Sequence, residues 1–174
     1  MDPREAIARY VLGALSAADL IALADLWLSR GTFTDSLNEL LFMKGSEALL
    51  LDVGPVFERA CLELNVPRPS RADAAKFLAL LLTGRIARGE IDPVEGASFL
   101  YSNVHHELHG ELTDETYLGD SLGLEGLFAW LREVWDCRDG SSILYYTNLP
   151  RDEAELRFRD HIKDEAIKYA AGAA

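Results

Sequence analysis

Residues 71–109 read RADAAKFLALLLTGRIARGEIDPVEGASFLYSNVHHELH, and this stretch decides the fold. Ala74, Phe77, Leu78, Leu81, Leu82 and Ile86 recur at helical spacing, and Ala75, Ala79 and Leu80 carry the apolar face further round. A helix apolar over most of its circumference belongs inside a bundle, so Arg71–Arg88 is predicted to be a buried helix. Gly89 ends it, and Glu90-Ile91 is a tight link. Asp92 then caps the next helix, Pro93 fills a first position where a missing N–H costs nothing, and Glu95 suits the positive end of the helix dipole. That second helix is predicted to reach His109, with Val94, Ala97, Tyr101, Val104 and Leu108 facing inward. So short a link joins neighbours that pack antiparallel or at a sharp angle. The hairpin is the expected scaffold of an all-α, single-domain bundle of about seven or eight helices spanning 1–174.

Outward from the hairpin the punctuation is also helical. Asp2, Ser16, Thr32 and Ser70 are each followed three positions later by an acid, the pattern of a capped helix start. Gly31, Gly45, Gly110 and Gly140 are matching stops. Helices are predicted over Pro3–Leu15, Ala17–Ser29 and Asp35–Met43. From Glu47 to Leu64 the pattern is helical but is expected to break at Gly54-Pro55. Asn65-Val66-Pro67-Arg68-Pro69 is a stiff connector, and any internal seam is expected at 65–69. Further helices follow over Gly123–Cys137, with Leu124, Leu127, Phe128, Leu131, Val134 and Trp135 inward, and over Pro150–Tyr169. The last has a narrow apolar face and many charges, the signature of a peripheral helix. Ile143–Thr147 is the one stretch where a short strand competes with a helical turn or an extended loop.

The chain has 174 residues, 49% hydrophobic and 26% charged, the balance of a soluble globular protein. It begins without the basic lead and apolar run of a signal peptide, and no apolar stretch is long enough to cross a bilayer. With two cysteines, Cys61 and Cys137, and no CxxC spacing, reduced thiols in the cytoplasm are the expectation. Net charge is −12 and the isoelectric point near 4.7, which opposes nucleic acid and anionic membranes as partners and favours a basic protein, a polyamine or a bound cation.

Charge is also unevenly placed. From Gly89 to Leu131 there is no Lys or Arg, and the formal charge of that stretch alone is −9. Asp92 and Glu95 are accounted for by helix capping, but Glu107, Glu111, Asp114, Glu115 and Asp120 are not. These five acids form the candidate partner-binding surface, with Tyr117, Tyr145 and Tyr146 as aromatic anchors.

The cluster His105-His106-Glu107-Leu108-His109 suggests a metal, yet the zinc motif HExxH fails, because its second histidine would fall on Gly110. His105 and His109 remain at i,i+4 spacing, which allows them to share a divalent metal such as zinc with Glu111, Asp114 or Glu115. There is no GxSxG elbow, no phosphate-cradling loop and no activated cysteine in the sequence pattern. No cofactor is therefore expected on the leading reading.

One short segment, Asp139-Gly140-Ser141-Ser142-Ile143-Leu144-Tyr145-Tyr146, resembles the tyrosine-bearing segment of the small acidic immunity proteins that block DNase colicins. In that family two tyrosines and nearby acids bind the basic toxin, which implies a comparable binding role for Tyr145 and Tyr146. The chain departs from the pattern at Ser142, where the family has an acid, and at Thr147, where it has a proline. The expected function is thus a non-catalytic acidic protein that neutralises or masks a basic protein, as an immunity protein or antitoxin inhibits a toxin. The alternatives are a metal-binding protein or metal-dependent hydrolase using His105 and His109, and a structural homo-oligomer.

Overall fold

A computed structural model describes residues 1–43, 48–108 and 117–172. Every regular element among them is helical. Eight helices are present among the described residues besides a short 3-10 turn at Asp120–Leu122: α1 Pro3–Val11, α2 Ala17–Ser29, α3 Asp35–Phe42, α4 Leu50–Glu63, α5 Arg71–Ala87, α6 beginning at Pro93–Phe99, α7 Glu125–Asp139 and α8 Arg151–Gly172. The all-α class and the helix number agree with the sequence reading. Ile143–Thr147 is not a strand; it is a run of bends and irregular backbone.

The helix starts follow from capping chemistry. Asp2, Ser16, Ser70 and Asp92 each accept a backbone N–H from the first turn, at 2.9 Å for Asp2 to Glu5 and 2.9 Å for Asp92 to Val94. At α3 the cap is Thr34, bonded to the Leu37 N–H at 3.1 Å, two residues later than the predicted Thr32. The stop of α5 is a Schellman turn: Gly89 sits at φ +70°, its N–H bonds to Ile86 and the next N–H reaches back to Arg85 at 2.9 Å. Gly13, at φ +73°, ends α1 by the same device. The first helix therefore stops at Val11, four residues short of the predicted Leu15.

The chain divides into two compact units, Met1–Ala75 and Lys76–Ala174, with the division inside α5. In the first unit Leu20, Ala24, Leu37, Leu40, Val53 and Phe57 form a core with Trp27. Trp27 stacks on Phe57 at 6.0 Å and donates its indole N–H to the Met1 carbonyl at 3.0 Å. Buried Glu5 is neutralised by Arg9 at 2.8 Å. Contrary to expectation, α4 runs straight through Pro55. Leu51, whose carbonyl loses its usual N–H partner to Pro55, lies exposed with Pro55, where water can solvate that carbonyl.

In the second unit the most extensive helix pairing among the described residues is α7 with α8, and α6 packs against both. The charged final helix thus packs on two others through one face and keeps its charged faces outward, as its pattern predicted. Its narrow stripe of Ala154, Phe158, Ile162 and Ala166 is fully buried. Net charge around a helix says little about depth when one apolar row suffices to seat it. A methyl group at Gly96 would come within 2.8 Å of the Ile86 and Ile91 side chains, so the end of α5 and the start of α6 lie close there.

After Phe99, α6 continues as a π-helical segment, Leu100–His105, and then an α turn, His106–Leu108. A π turn inserts an extra residue and rotates everything after it. Val104 and Leu108 are buried as the spacing predicts, Leu100 and His105 are buried with them, and Tyr101, predicted to be core, is only partly buried.

Candidate binding groove on the Glu125–Asp139 helix

The inward face of α7 carries Leu127, Phe128, Leu131, Val134 and Cys137, all buried. Its other side borders two adjoining hollows. The larger, about 710 Å³, is lined by Trp130, Glu133, Asp136, Ile143, Tyr145 and Tyr146, among others. The smaller, about 330 Å³, adds Tyr117, Leu118 and Glu125. Gly126, Ala129 and Arg132 border both, so the hollows form one groove along the helix.

Ala129 has no bulky side chain to fill the groove, and at Gly126 the position of a side chain is taken by Glu165. A methyl group at Gly126 would come within 2.8 Å of the Glu165 carboxylate from α8, which lies across the helix there. Behind the groove Trp130 is seated by α8, stacking on Phe158 at 5.6 Å and lying against His161 at 4.4 Å.

One wall is the segment 140–150. Asp139, at the end of α7, accepts hydrogen bonds from the Ser141 and Ser142 hydroxyls at 2.6 and 2.8 Å. Those bonds, Ser141's foremost, hold its carboxyl below the usual range. Arg151, in the first turn of α8, donates to the Asp136 carbonyl at 2.7 Å and also to the Ser142 carbonyl. The segment is thus tied at its base, and it presents Ile143, Tyr145 and Tyr146 to water, Tyr145 at 83% exposure and Tyr146 at 72%.

The other wall is the turn 117–124. Asp120 accepts the Tyr117 N–H at 3.1 Å, and Gly119, at φ +89°, takes the Leu124 N–H on its carbonyl at 2.9 Å. Tyr117 is left 70% exposed. Asp120, read from sequence as a partner contact, fixes the turn that carries Tyr117.

Among the described residues, three carboxylates, Glu125, Glu133 and Asp136, and one cation, Arg132, line the groove. Partial burial pushes the Glu133 carboxyl up, and repulsion from Asp136 adds to this while Arg132 opposes it. A carboxylate in that position gains more from an arriving cation than one fully in water.

The structure therefore brings Tyr117, Tyr145 and Tyr146 to a single groove. Glu107 is exposed at the end of the α6 extension and does not border the hollows. Glu111, Asp114, Glu115 and His109 lie outside the described residues. His105 is 3% exposed, stacked on Tyr101 at 6.2 Å and set edgewise against Phe128 at 5.5 Å. Among the described residues no three His, Cys, Asp or Glu side chains are grouped to hold a metal ion. Burial raises the Cys61 thiol to about 12 and Cys137 also upward, so both thiols stay protonated and poorly nucleophilic at neutral pH.

Trp130, Glu133, Asp136 and Ile143 were not identified from the sequence. The available signal was Trp130 itself, a large aromatic one residue off the inward stripe of α7 and following the small residues Gly126 and Ala129. No family model, curated protein or solved structure matches the chain. No described helix is long and apolar enough to cross a membrane.

Proposed function

We propose that this is a non-catalytic acidic binding protein that masks a basic protein partner, in the manner of an immunity protein or antitoxin, by taking a basic segment into the groove on α7. One observation carries the reading. Tyr117, Tyr145 and Tyr146 come from two separate segments, are largely in water, and border the same helix beside Glu125, Glu133 and Asp136. Exposed aromatic side chains around a hollow are the usual anchors of a protein interface, and carboxylates among them select a cationic partner. The overall charge of −12 adds long-range attraction and accelerates encounter.

Affinity capture from the native host, followed by reconstitution with the purified partner, tests this. The expected partner is basic, and its binding is lost on Tyr117→Ala, Tyr145→Ala, Tyr146→Ala substitution and weakens as salt rises. A partner that binds the triple variant as well as the wild type would overturn the groove as the site. A neutral or acidic partner would overturn the class.

A further inference from the structure

Granting that the groove takes a basic segment, we infer that the larger hollow, between Trp130, Tyr145 and Tyr146, receives one arginine side chain of that segment.

The hollow combines two features that suit a guanidinium and few other groups. The first is aromatic. The Trp130 and Tyr146 rings meet at 68° with centroids 6.2 Å apart, forming a corner, and Tyr145 stands beside it. Phe158 and His161 pack against Trp130 from α8, and Trp130, Tyr145 and Tyr146 all border the hollow. The second feature is charge. Glu133 and Asp136, about one turn apart on α7, border the same space and outnumber Arg132.

Ring faces attract cations, and the planar, weakly hydrated guanidinium stacks on them better than a compact ammonium does. Its fork of N–H donors also matches a carboxylate and brings a compensating charge, which a neutral side chain lacks and an anionic one would oppose. Glu133, partly withdrawn from water, favours an occupant that restores its lost hydration. A volume near 710 Å³, open on one side, holds a side chain with its flanking backbone and not merely a small ion.

The test is a titration of the whole ¹⁵N-labelled protein with acetyl-Gly-Arg-Gly-amide, followed at the Trp130 indole N–H, assigned with Trp130→Phe. The citrulline peptide, isosteric but uncharged, and the lysine peptide are run alongside. Expected are saturable shifts at Trp130 with arginine, several-fold weaker binding with lysine, and none with citrulline. Glu133→Gln with Asp136→Asn weakens the arginine peptide about fivefold or more, Tyr145→Leu weakens it about threefold, and Tyr145→Phe retains it. Tyr145 is mostly in water, so its substitution leaves the fold intact as a control. Absence of shifts at Trp130, or equal response to citrulline, overturns the inference. That failure is separable from the broader reading, since a basic partner captured through the tyrosines would still stand.

Discussion

Arg151 donates a hydrogen bond to the carbonyl of Asp136 at 2.7 Å, joining the start of α8 to the end of α7 across the segment that bears Tyr145 and Tyr146. The same guanidinium also bonds the Ser142 carbonyl. One side chain thus satisfies carbonyls that a helix end leaves without partners and fixes the base of the groove wall. Arg151→Ala is expected to cost about 1.5–3 kcal/mol, the range for hydrogen bonds from a charged donor. Urea unfolding measures that cost, and limited proteolysis should reveal new cleavage within 141–149. An unchanged midpoint and cleavage pattern would show that the clamp contributes nothing.

Asp139 supports the same wall in a pH-dependent way. Its carboxyl is held below the usual range by the Ser141 and Ser142 hydroxyls. A depressed folded-state pKa contributes stability above the unfolded value of about 4, and that contribution fades as pH falls through the folded value. Asp139→Ala should therefore be less stable than wild type near neutrality, and the gap should close on acidification. Thermal unfolding of both proteins across that range checks the sign; a gap that widens toward acid would refute it.

The exposed tyrosines should behave in the opposite way to structural residues. Tyr145 and Tyr146 sit mostly in water, so Tyr145→Ser with Tyr146→Ser is expected to shift stability by no more than about 0.5 kcal/mol. Partner binding should nevertheless collapse. Denaturant unfolding and binding measured on the same preparation separate the two effects, and a large stability loss would mean that the rings are structural.

The burial of α8 also has a measurable consequence. Ile162 is fully buried in the α7–α8 pairing, and Ile162→Ala should cost about 2–5 kcal/mol. A helix whose apolar row stayed in water would lose far less. Denaturant titration gives the difference directly.

Much of this architecture is local and was therefore readable. Asp2, Ser16, Ser70 and Asp92 announce helix starts because a cap needs only its own first turn. The apolar row Phe158–Ile162–Ala166 was visible as spacing, but its depth depends on α7, far from it in the chain. The π turn at Leu100–His105 is invisible to any argument from regular periodicity, and it moved His105 from the edge of the stripe into the interior. The groove is the least legible feature. Tyr117, Trp130 and Tyr145 come together only because α7 separates two turns that fold back along one helix. The aromatic anchors stand near acids in the sequence, whereas of the acids that line the groove only Glu125 falls within the stretch free of Lys and Arg, and Glu133 and Asp136 lie beyond it.

The groove as a binding site for a basic protein is tested most directly by the affinity of the purified partner for wild-type protein and for the Tyr117→Ala, Tyr145→Ala, Tyr146→Ala variant, compared at low ionic strength. Loss of about 2 kcal/mol or more of binding free energy, with the unfolding midpoint preserved, is the expected result. Equal affinity for the two proteins would contradict it.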